Sequence, residues 1–369
     1  MAMLVSLVEY YCFNIICVTL LLLTSVEASV LEEKSSTSTS AFFIFGDSSV
    51  DPGNNNYINT IPENQANYKP YGQNGFFQRP TGRFSDGRII VDFIAEYAKL
   101  PLIPPFLEPS ADYTNGANFA SGGAGVLPET NQGMVIDLPT QLKNFEVVQK
   151  SLIEKLGEAE AEKVISEAVY LFSIGSNDYM GGAVQKGGRK FGFLSLTPLG
   201  CLPALRTLNP KASEEGGCFE AASALALAHN NALKSVLTSL EQIFKGFKYC
   251  YSNFYNWLDE RRNNPSKYGF KEGINACCGY GPYGGIFTCG GTKEVKEYEL
   301  CENAEDYVWW DSFHPTEKIH EQFAKALWNG EPEPEPVGSY NLQRLFFDKE
   351  KLTIADIVDD APQPHHFLQ

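Results

Sequence analysis

Apolar residues along this chain fall into short unbroken runs, separated by longer stretches in which they recur every three to four positions. That alternation is expected where buried strands exchange with amphipathic helices. The run 41–45 (AFFIF) ends at Gly46-Asp47-Ser48 and predicts a buried parallel strand that delivers polar residues at its carboxyl end. A second run, 169–174 (VYLFSI), leads into Gly175-Ser176-Asn177-Asp178, and 191–196 and 249–255 predict two further strands. Helical spacing covers 89–99, 141–168, 220–240 and 317–328. The whole implies one α/β domain over 41–330 with a mainly parallel sheet, which places ligands at the carboxyl ends of its strands.

The flanks follow different patterns. Residues 1–28 carry an apolar run over 12–23 and then Val26-Glu27-Ala28, the layout of a secretory signal peptide with its small-residue cleavage site. Glu9 and the lack of Lys or Arg in that segment leave a retained membrane anchor as the alternative. Residues 29–40 read as a flexible mature N-terminus, and 331–369 as an acidic, Pro-rich spacer (EPEPEP) followed by a partly amphipathic tail. No later stretch is long and apolar enough to span a bilayer, so no stable span is expected once the signal is removed.

Charge and cysteine content narrow the setting. The formal net charge is −16, becoming −14 when the signal takes Glu9 and Glu27 with it, which argues against nucleic acid as a partner. Seven cysteines remain in the mature chain: Cys201, Cys218, Cys250, Cys277, Cys278, Cys289 and Cys301. Four of them lie in or near a Gly-rich stretch, ACCGYGPYGGIFTCGG, that has little else to hold it rigid, so disulfides and an oxidising compartment are expected. The odd count predicts a leftover thiol, and no zinc-ligand spacing is present. No usable Asn-x-Ser/Thr sequon occurs, since Asn264-Pro265-Ser266 is spoiled by its proline.

A nucleophilic serine needs a base, a carboxylate to orient that base, and donors for the oxyanion of a tetrahedral intermediate. Ser48 follows the first strand. Asp311 and His314 stand three apart in WWDSFHP, a spacing that lets the carboxylate hold the imidazole in one tautomer. His365 and His366 lie in the tail, His229 inside a long helical pattern and His320 farther along, so His314 is the best-placed base. Asn177 can offer an amide donor at the same sheet edge, and Gly123 in NFASGGAG an unobstructed backbone N–H. GYGPYG at 279–284 fits G-x-G-x-x-G but lacks the strand and helix of a dinucleotide site, and HEQFA at 320–324 lacks the second histidine of a zinc protease. G-x-S-x-G is absent.

Together FGDSSVDPGNNN, GANFASGGAG, GSNDY and DSFHP resemble, in order and spacing, the four blocks of the plant GDSL esterase/lipases of the SGNH hydrolase group. The resemblance runs from about 41 to 328, with PTGRFSDGRIIVDFIA and TPLGCLP as further likeness. It implies a three-layer α/β/α sandwich with a flavodoxin-like sheet, and a serine ester hydrolase acting on lipid or other acyl esters. By this likeness Ser48 is the nucleophile, His314 the base and Asp311 its orienter; Ser48 N–H, Gly123 and Asn177 form the oxyanion hole. No metal or organic cofactor is implied. The expected destination is the cell exterior, apoplast or wall, with the vacuole as the alternative.

One departure stands out. Where the resemblance implies a long helical segment after GSNDY, this chain has only YMGGAVQKGG, roughly thirty residues fewer, although the thirteen residues from 177 to 189 can still span a short crossover. Four glycines there disfavour a covering helix. Loss of one oxyanion donor costs about 10²- to 10³-fold in turnover, so a secreted binding or modifier protein of the same fold is the alternative function.

Overall fold

In a computed structural model, residues 40–125, 128–174, 188–209, 217–293, 295–330 and 340–348 are described. The expectations placed on 1–28, on most of 29–40, on the spacer and on the end of the tail lie outside these residues.

The first apolar run is strand β1, Phe42–Gly46, buried along its whole length. It is followed by helix α1 (Ile90–Tyr97), the short strand β2 (Gly116–Asn118), helices α2 (Leu138–Leu156) and α3 (Glu158–Glu167), and strands β3 (Val169–Ser173) and β4 (Lys190–Leu194). Then come α4 (Pro203–Thr207), α5 (Glu220–Ile243), β5 (Lys248–Ser252) and α6 (Phe254–Asn263). The five strands pair in the order β2-β1-β3-β4-β5, all parallel, with Phe42 to Gly46 in register with Val169 to Ser173.

Alternation along each strand builds two cores. Phe42 and Ile44 of β1, Val169 and Leu171 of β3 and Cys250 of β5 face one layer. Phe43, Phe45, Tyr170, Phe172, Phe191, Phe193, Tyr249 and Tyr251 face the other, against Phe145, Val148 and Leu152 of α2 and Leu233, Leu237 and Leu240 of α5. The result is the three-layer sandwich that the family resemblance implies, and each buried aromatic contributes about 1.5–3 kcal/mol. Cys250 lies within this core, and burial pushes its thiol up to about 12, so the leftover cysteine is inert.

After α6 the chain makes strand β6 (Glu272–Ala276), the small antiparallel pair β7 (Cys278–Gly279) and β8 (Glu299–Leu300), strand β9 (Tyr307–Trp309), which runs parallel to β6, and helix α7 (Glu317–Asn329). Disulfides Cys277–Cys301 and Cys278–Cys289 staple this lobe, and Cys201–Cys218 ties the segment before α4 to the one before α5. Helix α8 (Leu342–Phe347) buries Leu342, Leu345 and Phe346 in the same core as α1 and α7. Gly192 of β4 leaves room for it, since a Cβ there would stand 3.1 Å from the Leu342 side chain.

Candidate active site

Ser48 sits two residues beyond β1, where the strand gives way to a turn closed by Val50 N–H donating to the Asp47 carbonyl (3.3 Å). Asp47 accepts from the Ser49 N–H (2.9 Å) and hydroxyl (2.7 Å), and Ser49 Oγ lies 2.6 Å from Ser173 Oγ at the end of β3. Burial raises the Asp47 carboxyl above its usual range. The Gln141 side chain, fully buried on α2, holds Gly46 from both sides: its Oε1 accepts from Gly46 N–H (3.0 Å) and its Nε2 donates to the Gly46 carbonyl (2.9 Å). The turn that carries Ser48 is therefore fixed by side chains from two other elements.

The loop after β9 brings in the other two groups, and it is a tight turn rather than a helix. Trp310 and Asp311 N–H both donate to the His314 carbonyl, at 2.8 and 3.3 Å. Asp311 Oδ1 accepts from the backbone N–H groups of Phe313 and His314 (both 2.9 Å) and lies 2.8 Å from His314 Nδ1. His314 Nε2 stands 2.9 Å from Ser48 Oγ across 266 residues of chain. The end of α7 next to this turn is pinned by Asp86, whose carboxylate accepts the Glu317 N–H (2.7 Å) and whose own burial pushes it up to about 6.

Asp311 is fully buried, which alone would raise its pKa. The charge and hydrogen bond of His314, the Lys293 ammonium and the Phe313 N–H outweigh that and leave the carboxyl below its usual range. Its Oδ2 accepts a further hydrogen bond from the Tyr71 hydroxyl at 2.7 Å. Phe84 packs on the imidazole with ring centroids 4.8 Å apart, and Phe287 and Phe313 lie 6.5 and 6.3 Å from it. His314 is thus clamped in orientation by a carboxylate on one nitrogen and aromatic rings around it.

The polar residues after Ser48 bind the first sequence block to the second. Asp51 Oδ1 accepts from Gly53 and Asn54 N–H (both 2.7 Å), and its Oδ2 accepts from Gly122 N–H (2.9 Å). Burial nevertheless pushes Asp51 up to about 6, against those three donors and Arg83. Asn54 donates to the carbonyls of Asn118 and Ala120, and Asn55 to those of Asn64 and Gly122. With the Gly122 N–H engaged by Asp51, the N–H groups of Gly123 and Ser48 have no acceptor among the described residues. Gly123 has φ +84°, and a Cβ there would come within 2.5 Å of Asn64 Oδ1, so glycine is required. Asn177 falls in 175–187, outside the described residues.

Sequence reasoning did not find Gln141, Tyr71, Lys293 or the Asp51 network as parts of the site. A buried Asp and two buried Asn within four residues of one another, in VDPGNNN, were a local signal for a hydrogen-bonded scaffold; nothing local marks the other three.

The family model for GDSL-like lipase/acylhydrolase matches residues 42–187 and 180–327. The chain belongs to this family. Among relatives of the GDSL family, GDSL esterase/lipase 5 of Arabidopsis thaliana is 46% identical over 371 aligned positions, covering 92% of this chain and 96% of the relative. GDSL esterase/lipase 2 of the same plant is 49% identical over 84% of this chain and 90% of the relative. A GDSL lipase of Tanacetum cinerariifolium is 44% identical over 85% and 90%. An alignment of 371 positions that uses 92% of a 369-residue GDSL chain leaves about thirty positions with no residue here. That is the size of the shortfall read after GSNDY, and the GDSL model itself matches in two pieces that meet at 180–187.

Proposed function

We propose that this chain is a carboxylic ester hydrolase working through an acyl-enzyme on Ser48. In the first half-reaction Ser48 Oγ attacks the ester carbonyl while His314 Nε2 takes the hydroxyl proton. The carbonyl π electrons move onto oxygen, and that oxyanion is held by the N–H groups of Ser48 and Gly123 and by the Asn177 amide. The C–O bond to the alcohol then breaks as His314 returns its proton to the leaving oxygen. Water repeats the sequence on the acyl-enzyme, releasing the carboxylic acid and restoring Ser48. Asp311 keeps the imidazole in the tautomer with Nδ1 protonated and stabilises its charged form. Water is the only co-reactant the balance requires.

The observation that carries this reading is the unbroken chain from Asp311 through His314 to Ser48, at 2.8 and 2.9 Å. The esterase/lipase names of the relatives support the same chemistry and do not favour a binding protein without turnover. Lipid or other acyl esters are the proposed substrates. Labelling with a fluorophosphonate tests it: wild type should label stoichiometrically and Ser48→Ala not at all. Equal labelling of both, or none on folded wild type, would remove Ser48 from the mechanism.

We infer secretion as well. Three disulfides among the described residues suit an oxidising compartment, and residues 1–28 have the layout of a secretory signal. No helix among the described residues is long and apolar enough to cross a membrane. The apoplast or cell wall is the proposed location; recovery of the processed chain in apoplastic washing fluid tests it, and retention inside the cell would refute it.

A further inference from the structure

Lys293 is 3% exposed, and among the described residues its Nζ has no hydrogen-bond acceptor. It rests 3.1 Å from the centroid of Phe287 and 5.9 Å from those of Tyr68 and Tyr71. A cation over an aromatic face gains about 2 kcal/mol or somewhat more when desolvated, whereas taking an ammonium out of water costs several. Aromatic contact alone does not account for a lysine in this position.

The lobe that carries it is built to hold it there. Cys278–Cys289 closes four residues before Lys293. Gly290, at φ +86°, lets the backbone press onto the loop of Tyr68 and Tyr71: a Cβ at that position would stand 2.6 Å from the Lys69 carbonyl and 2.7 Å from the Tyr68 ring. Tyr71 in turn donates to Asp311 Oδ2 at 2.7 Å. The charged and titratable groups around Lys293 are Asp311 from the turn after β9, and Glu63, Tyr68 and Tyr71 from the loop preceding α1.

We propose that Lys293 is the buried counter-ion of Asp311, a positioning residue that, with Tyr71, keeps the orienting carboxylate ionised and opposes an extra proton on the Asp311–His314 pair. The inference rests on the esterase reading and adds to it a fixed positive charge behind the carboxylate. A cation at that place lowers the proton affinity of every group near it. Burial brings the ammonium down to about 8 while Asp311 and then Glu63 pull it back up, so the lysine is charged at mildly acidic pH, where the pair most needs it.

The test is the pH profile of kcat/KM on a chromogenic short-chain ester for wild type, Lys293→Met, Lys293→Arg and Ser48→Ala. Lys293→Met should move the acid limb up by about half to one pH unit, with rates converging on wild type above pH 8, where the lysine of the wild type is itself losing its charge. Lys293→Arg should keep the wild-type limb. An active Lys293→Met whose limb has not moved overturns the proposal, because a lysine that merely fills space would give that result. Lys293→Gln, with a polar head, carries the same comparison if the Met variant does not fold by near-ultraviolet circular dichroism. Ser48→Ala separates the two claims: folded and inactive, it upholds the esterase reading whatever the limb does.

Discussion

Gln141 shows how a residue with no chemistry of its own can decide whether the proposed nucleophile, Ser48, is in place. Its amide satisfies both backbone groups of Gly46, two positions before Ser48, and it is buried in full. Gln141→Leu would keep the volume but leave the Gly46 N–H without its acceptor, at a cost of about 1–3 kcal/mol for the buried orphan, while the Gly46 carbonyl would keep only the Ser121 N–H (3.1 Å). We expect a lower urea midpoint and at least about a tenfold fall in kcat, since a misplacement of about 1 Å at the reacting atom suffices for a hundredfold. Unchanged stability and turnover in this variant would show that the turn holds itself. Ser48, Asp311 and His314 could be nominated from residue type and spacing, because a base and its orienter three apart leave a local mark. Gln141 and Tyr71 leave none: their partners lie 95 and 240 residues away, and a lone Gln or Tyr in sequence looks like any other.

Elements were legible where periodicity ran uninterrupted and misread where a cap intervened. The spacing over 141–168 marks helix but not its break: Gly157 at φ +83° ends α2 and α3 begins at once. The apolar run 249–255 predicts a strand to its end, whereas β5 stops at Ser252 because the Asn253 side chain accepts from Asn256 N–H and starts α6. The stapled lobe is the element whose role the sequence could state only as rigidity. Loops of 11 and 24 residues closed by Cys278–Cys289 and Cys277–Cys301 contribute about 3 kcal/mol each. Replacing Cys278 and Cys289 by alanine should therefore lower stability by about 3 kcal/mol in urea denaturation. Because that bridge fixes the segment leading to Lys293, the same variant should show the raised acid limb expected of Lys293→Met. A stability loss with the limb unmoved would confine the disulfide to a structural role.

At the scale of the whole molecule, the alternation of runs and helices was enough to give an α/β domain with a mainly parallel sheet, while the helical layer on each of its faces was given by the family resemblance. It could not give the docking of α8 on the core or the burial of His320, which depend on packing of segments distant in sequence. His320, on α7, is kept neutral by burial and by the nearness of His314, against the pull of Asp92, and its pKa falls to about 3. The unfolded chain takes up that proton near 6.5, so between about 6.5 and 3 the unfolded state binds more protons and stability falls as the pH falls. Asp51 and Asp86, raised to about 6 from 3.8, work in the opposite sense: over that window the folded state binds the extra protons and gains as the pH falls. The two effects overlap in wild type and are separated by comparing it with His320→Gln, which lacks only the first. The stability of wild type relative to this variant should shrink by about 2–3 kcal/mol between pH 7 and pH 4.5, read from urea midpoints. An equal difference at both values would mean that His320 is protonated in the folded protein and that α7 harbours a charge its surroundings are built to exclude.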